Sequence, residues 1–278
     1  MDLIVARNRE DLVKARAGGE VALVPTMGAL HEGHRSLIRQ ARVRANHVVV
    51  SIFVNPLQFT PNEDFSRYPR TFDADLDVCR EEGVDVVFHP AVEDMYAPDR
   101  QVSVSAGEMG RIVEGAFRPG HFDGVLTVVL KLFNLVQPDL AFFGQKDAQQ
   151  LAVIRRMVTD LNLPIEIVGV PTVREPDGLA LSSRNRFLSA QDRKVALALS
   201  RALRAGAAEL TPAGIHATAR AVLDAAGPEL EVDYLTLVEP ATFAEVTESY
   251  AGPAVLAVAA TIGGTRLIDN VILTLTPS

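Results

Sequence analysis

VALVPTMGALHEGHRSLIRQA, residues 21–41, runs from strand formers through a glycine turn into a helix start. VALVP is apolar and β-branched, which reads as a buried strand. EGHRSLIRQA spaces its apolar residues for a helix, so TMGALH is the turn between the two. In α/β proteins such a turn lies at the carboxyl edge of the sheet, where ligands bind. Gly28 lets the backbone turn tightly, and Gly33 keeps the first helical turn uncluttered. His31 and His34, three residues apart, then share one face near the helix N-terminus. Free backbone N–H groups and the helix dipole favour an anion there, imidazole donors extend the site, and phosphate is the natural guest.

Other readings of the two histidines stay open. They could be surface or packing residues, or two ligands of a zinc site, since a spacing of three on a helix can converge on a metal. Zinc would need a third ligand, and His47, His89, His121 and His216 are scattered with no HExxH pattern.

Beyond this stretch, HVVVSIFV (47–54), DVVFHP (85–90), DLAFFG (139–144) and IEIVGV (165–170) read as further buried parallel strands. Amphipathic stretches at 34–45, 72–83, 122–136 and 147–161 alternate with them. Strand and helix in repetition imply an α/β fold, a Rossmann-like doubly wound parallel sheet. After Thr172 the order changes to two helical stretches (189–210 and 212–227), then strands at 231–239, 253–262 and 265–275. Ser189 with Asp192 marks a helix start. The predicted division is a nucleotide- and substrate-binding domain over 1–175 and a smaller α+β C-terminal domain over 176–278, which would act as a lid.

Composition narrows the function classes. The 278 residues are 48% hydrophobic and 22% charged, as in an ordinary globular protein, and carry a formal net charge of −8. That balance disfavours a duplex-binding surface. Cys79 is the one cysteine, so no internal disulfide framework exists and the residue is expected to pack. The N-terminus lacks the apolar core of a signal peptide and no run is long enough to span a bilayer, so a cytoplasmic protein without membrane or nucleic-acid partners is expected.

Three further stretches carry polar chemistry. In FFGQKDAQQ (142–150) a second glycine turn leads from a strand into a helix. Lys146 can lie against phosphate oxygens, Asp147 can meet a ribose hydroxyl or order the turn, and Gln150 can point into the same cleft. A solvated loop with a helix-capping aspartate is the alternative. In LALSSRNRFLS (179–189), Ser182, Ser183 and Arg184 offer two hydroxyls and a guanidinium fork suited to a triphosphate, or else form a polar linker. Asn55 and Gln58 in SIFVNPLQF leave a strand end as neutral amides that suit a small polar substrate, or equally satisfy loop backbone groups.

Taken together, PTMGALHEGH, SIFVNPLQF, the YPRT after it, GAFRPGHFDGVLTVVLKLFNLVQPDLAFFGQKDAQQL and LALSSRNRFLS occur in an order that resembles the pantothenate synthetase family across most of residues 21–190. The histidine stretch is similar to the HxGH motif of nucleotidyltransferases. The resemblance implies an ATP-dependent ligase in which the pantoate carboxylate attacks the α-phosphate of ATP, pyrophosphate leaves, and the β-alanine amine then displaces AMP. It implies Mg²⁺ with the ATP and a homodimer. ATP would be held by Met27, Gly28, Ala29, Leu30, His31, Glu32, Gly33 and His34, by Gly144, Gln145, Lys146 and Asp147, and by Val173, Leu181, Ser182, Ser183 and Arg184. His34, the family's assigned proton donor, His31, Lys146 and Arg184 would be catalytic, while Gln58, Gln150 and Asn55 would form the substrate pocket, with Arg118 and His121 nearby. Loop 60–71 and the second domain would close over the adenylate.

Two departures stand out. Ala74 replaces one of two adjacent aspartates common in the family and leaves Asp75 as the candidate magnesium ligand. Leu181 stands where a methionine commonly precedes the serines. A related adenylyltransferase with a different acceptor and a non-catalytic nucleotide-binding module are the alternatives. Gln58 and Gln150 favour pantoate over a phosphorylated acceptor, which would call for added cations, and the retained His31, His34, Lys146 and Arg184 speak against loss of turnover.

Overall fold

In the computed structural model, which describes residues 3–15, 18–59 and 65–276, the apolar runs line up in one parallel sheet. Its strands are β1 (Ile4–Ala6), β2 (Val21–Thr26), β3 (His47–Ile52), β4 (Val86–Phe88), β5 (Leu140–Gly144) and β6 (Glu166–Val170), in the spatial order β1-β4-β3-β2-β5-β6. Helices α1 (Arg9–Lys14), α2 (Glu32–Arg44), α3 (Phe72–Glu81), α4 (Val92–Met95), α5 (Glu114–Phe117), α6 (His121–Val136) and α7 (Ala148–Asp160) occupy the connections. From β2 the chain moves outward through β3 and β4, then returns to the other side of β2 for β5 and β6. The strand order therefore reverses between β2 and β5, the place where an open α/β sheet forms its crevice.

Pairing at that junction is brief. Strands β2 and β3 pair along their full length, from Val21 with His47 to Thr26 with Ile52, whereas β2 meets β5 only at Ala22 with Leu140 and Leu23 with Ala141. The carboxyl ends of β2 and β5 thus diverge, and the two glycine turns that follow them flank the gap. Helix α6 closes one face of the sheet with Phe122, Val125, Leu126, Val129 and Leu132, which pack with Leu23, Val49 and Ala141. Helices α2 and α3 close the other with Leu37, Ile38, Ala41, Leu76 and Cys79. Cys79 packs as expected, and burial pushes its thiol up to about 12, which leaves it unreactive.

Edge strand β1 has no counterpart in the sequence reading. It is three residues long and pairs only with β4, too short to show a period of two. Part of the expected lid loop, residues 60–64, lies outside the described residues. Its described part packs inward, where Phe59 meets Phe65 and Tyr68 edge-on at 5.2 and 5.9 Å.

The second body begins with α8 (Ala190–Gly206), which starts at the anticipated Ser189–Asp192 capping box, followed by α9 (Pro212–Asp224) and the antiparallel strands β7 (Leu230–Val238), β8 (Gly252–Ile262) and β9 (Thr265–Leu275). Alanine-rich α8 approaches α9 closely enough that a Cβ at Gly206 would sit 2.8 Å from the Ile215 carbonyl oxygen. The two bodies meet across a small apolar cluster of Ala152, Val238, Phe243, Val255 and Ala257. Beside it, Arg266 of β9 makes a bidentate pair with Glu114 of α5 at 2.6 and 3.0 Å, and the Tyr234 hydroxyl donates to the same carboxylate at 3.0 Å. Burial pushes the Glu114 carboxyl up, but Arg266 outweighs it and holds the group below the usual carboxylate range. Among the described residues, no helix is long and apolar enough to cross a membrane.

Candidate active site

Helix α2 opens with a reciprocal cap built from histidines. The Nδ1 of His31 accepts from the Gly33 N–H at 3.1 Å, and the Nδ1 of His34 accepts from the His31 N–H at 3.2 Å. The rings lie 4.1 Å apart. Gly33 is required because a Cβ there would lie 2.8 Å from His31 Cε1. With Nδ1 accepting, each neutral imidazole carries its hydrogen on Nε2, on the far side of the ring from the backbone. Both rings line a cleft of about 260 Å³ at the gap between β2 and β5.

The expectation of free helix N–H groups here holds only in part. Those of His31 and Gly33 are taken by the imidazoles and that of His34 by the His31 carbonyl, so donation passes to the ring Nε2–H groups. Burial, then the neighbouring His31 and Lys146, hold His34 down at about 3. Burial, then Lys146, also lower His31, while Asp147 opposes them. Both rings are therefore neutral donors near pH 7.

Asp75, the candidate magnesium ligand, spends its oxygens inside the protein. It is buried, and its two oxygens accept from the Ala29 N–H at 3.0 Å and the Leu30 N–H at 2.8 Å, with the Thr71 hydroxyl at 3.3 Å. It holds the turn that delivers the histidines, in which Gly28 and Ala29 adopt positive φ values of 82° and 52°. Among the described residues, no group of three or more His, Cys, Asp or Glu side chains could hold a metal ion, which also removes the support for the zinc reading.

Asn55 likewise makes its hydrogen bonds inside the protein, at the wall of the cleft. Its carbonyl oxygen accepts from the Tyr96 hydroxyl at 2.8 Å and the Leu57 N–H at 3.2 Å, and its amide donates at 3.1 Å to both the Gly124 carbonyl and Gln58 Oε1. Gln58 is thereby set in the cleft. A Cβ at Gly124 would come within 2.1 Å of the Leu57 carbonyl oxygen, so α6 packs directly on this turn. His121 accepts a hydrogen bond from Arg118 at 3.0 Å and donates from Nδ1 to the Gln58 carbonyl at 2.8 Å, which brings Arg118 to the same wall.

Across the gap, Gly144, Lys146, Asp147 and Gln150 line the cleft from the β5–α7 turn. Val173, Leu181, Ser182, Ser183 and Arg184 line it from the segment between the bodies. That segment is ordered rather than a linker. Arg174 bridges Ala180, and the Ser182 hydroxyl caps a short 3-10 turn by accepting from the Arg184 N–H at 3.2 Å. The remaining wall is apolar, with Val125, Val129 and Leu132 of α6 beside Phe53 and Phe143.

A family model described as pantoate-beta-alanine ligase matches residues 4–272. The chain belongs to the pantoate-beta-alanine ligase family. Pantothenate synthetase from Thermobifida fusca is 64% identical over 98% of this chain and 96% of the relative. A pantothenate synthetase structure from Thermus thermophilus superposes with a TM-score of 0.93 at 47% identity, covering 96% of this chain and 98% of its own. The pantoate-beta-alanine ligase of Francisella tularensis, solved with beta-gamma ATP and beta-alanine, superposes with a TM-score of 0.80 at 34% identity over 98% of both chains.

For this ligase-family member, the expected residues divide by position. Met27, His31, Gly33, His34, Gln58, Gly144, Lys146, Asp147, Gln150, Val173 and Leu181 through Arg184 share the cleft, as does Asn55 through its buried contacts. Gly28, Ala29, Leu30 and Gln145 shape its turns, and Glu32 faces outward to pair with Arg39. The apolar wall was missed. Its signal was the spacing of Val125, Val129 and Leu132 on one helix face, which looks the same as ordinary core.

Replacing Asp75 by Ala leaves the Ala29 and Leu30 N–H groups unsatisfied. The expected cost is about 1–3 kcal/mol in urea unfolding, with activity lost even where the protein stays folded; an unchanged midpoint would contradict the anchoring role.

His34→Gln keeps an acceptor for the His31 N–H while removing the titrating ring. Between the ordinary 6.5 and about 3, the unfolded chain binds a proton at His34 that the native chain does not. Native stability from this residue is thus complete above 6.5 and falls on acidification, by about 1.4 kcal/mol per pH unit. Unfolding midpoints measured from pH 7 to pH 4 are expected to slope less in the variant; equal slopes would overturn the assignment.

Proposed function

We propose that the chain condenses pantoate with β-alanine at the expense of ATP, giving pantothenate, AMP and pyrophosphate through a pantoyl adenylate. The observation that carries this reading is the single cleft in which neutral imidazole donors, Lys146 and Arg184 face two substrate-sized amides, Gln58 and Gln150, and an apolar wall. Pantoate has a carboxylate, two hydroxyls and a geminal dimethyl group, and that wall offers the dimethyl group a dry surface. Family membership and the Francisella tularensis complex support the same assignment.

In the first step a pantoate carboxylate oxygen bonds to the α-phosphorus and the bond to the bridging oxygen breaks, so pyrophosphate leaves with the electron pair. Negative charge grows on the phosphate oxygens. Fixed donors already aimed at them lower the barrier, because nothing has to reorient as the charge develops. The Nε2–H groups of His31 and His34 and the Lys146 and Arg184 cations are those donors. In the second step the β-alanine amine attacks the acyl carbon, AMP leaves, and the amine gives up a proton. No protein nucleophile is needed; Gln58 and Gln150 hold pantoate in line with the α-phosphorus, and Gln58 also meets the incoming β-alanine.

Magnesium enters this proposal with the substrate, as MgATP. The donor set agrees, since the Asp75 oxygens are engaged with backbone N–H groups and no acidic cluster is available among the described residues. The cytoplasm, where ATP is supplied, is the proposed compartment.

Pantoate-dependent exchange of labelled pyrophosphate into ATP, with β-alanine absent, tests the first step. Exchange is expected, and Lys146→Ala or His34→Ala should slow it about 100- to 1,000-fold with the fold intact. Binding of ATP with no exchange and no pantothenate on adding β-alanine would leave a transferase with another acceptor, or a binding module.

The homodimer implied by the family resemblance belongs to the same proposal. Light scattering is expected to give twice the 30.0 kDa chain mass; a monomer mass at micromolar concentration would remove it.

A further inference from the structure

Lys146 stands on a two-peptide turn whose carbonyls point away from the cleft, toward the second body. There a single side chain meets both. The Asn270 amide donates to the Gln145 carbonyl at 2.9 Å and to the Lys146 carbonyl at 2.7 Å, using both of its hydrogens. Asn270 is 5% exposed, so both bonds are buried.

The donor is itself fixed. The preceding Asp269, 3% exposed, accepts from the Asn270 N–H at 2.7 Å and receives Arg174 in a bidentate pair at 2.7 and 2.9 Å. Arg174 also donates to the Asn270 carbonyl at 3.2 Å and to the Gly178 carbonyl at 3.2 Å. Two adjacent residues of β9 therefore grip both cation-bearing elements of the cleft, the Lys146 turn and the segment that leads to Arg184. The Lys146 ammonium has no carboxylate partner among the described residues, so its aim depends on the backbone beneath it.

We infer that Asn270 is a positioning residue for adenylation, acting through Lys146 by holding the Gln145 and Lys146 carbonyls. The second body thereby completes the turn that carries a catalytic cation. This inference rests on the ligase reading above.

The test is a double-mutant cycle read by pantoate-dependent pyrophosphate exchange in the full chain. Asn270→Ala is expected to lower the exchange rate at least tenfold, with the pantoate KM unchanged, because its effect falls on the phosphate side of the cleft. In the Lys146→Ala background the same change is expected to add less than twofold. A merely structural role would instead multiply the two losses, and that result, or a wild-type rate in Asn270→Ala, overturns the inference. Asn270→Ser keeps one donor on a shorter side chain and is expected to fall between; if Asn270→Ala does not fold, the cycle is run with Asn270→Ser under the same criteria. Wild-type protein without exchange would instead mark failure of the ligase reading itself.

Discussion

Every α-helix begins with backbone N–H groups that have no partner inside the helix, and helix α2 resolves this with two imidazoles. Aspartate would cap the helix equally well, but with no donor left to aim elsewhere. A neutral imidazole that accepts at one nitrogen must donate at the other, so capping the helix and presenting N–H groups to the cleft are one act. Protonation would break both, since an Nδ1–H would confront a backbone N–H. The low proton affinity of His34, set first by its burial, keeps the arrangement intact at neutral pH.

The cap would be useless without a rigid approach to it. Asp75 supplies that from a neighbouring helix by accepting two successive N–H groups of the turn, and Thr26 ties the strand end to β3 through the Ser51 carbonyl at 2.8 Å. Opposite, Asn270 donates to two successive carbonyls of the Lys146 turn. The two glycine turns are thus held in complementary ways, one through its N–H groups by a carboxylate and the other through its C=O groups by an amide. The short contact between β2 and β5 leaves room between them for a ligand.

Much of this was legible in the sequence, where the residue type alone dictates the structure. Strands β2, β3 and β5 are continuous apolar runs, and the α8 start carries its capping box in plain view. The cleft residues His31, His34, Gln58, Lys146, Gln150 and Arg184 follow strand ends or turns, so the α/β pattern placed them on one edge. What stayed hidden depends on contacts distant in sequence. Asp75 is a candidate metal ligand only through the family resemblance, and the fold shows its oxygens committed to N–H groups 45 and 46 residues away. Asn55 read as a substrate contact, yet its partners Tyr96 and Gly124 lie 41 and 69 residues along the chain. Strand β1 was too short to show any period.

A chain that forms an acyl adenylate faces a conflict between charge and water. Adenylation needs cations and donors near the α-phosphate, which attract water, while the adenylate must be kept from hydrolysis. Neutral imidazoles ease the conflict, because they donate hydrogen bonds without adding charge to hydrate, leaving Lys146 and Arg184 as the charged members. The apolar face of Val125, Val129 and Leu132 works in the same direction from the acyl side. Placing Lys146 on a turn whose carbonyls are bound by Asn270 also removes two polar groups that would otherwise hold water behind the site. On this view the second body contributes to dryness through its hydrogen bonds.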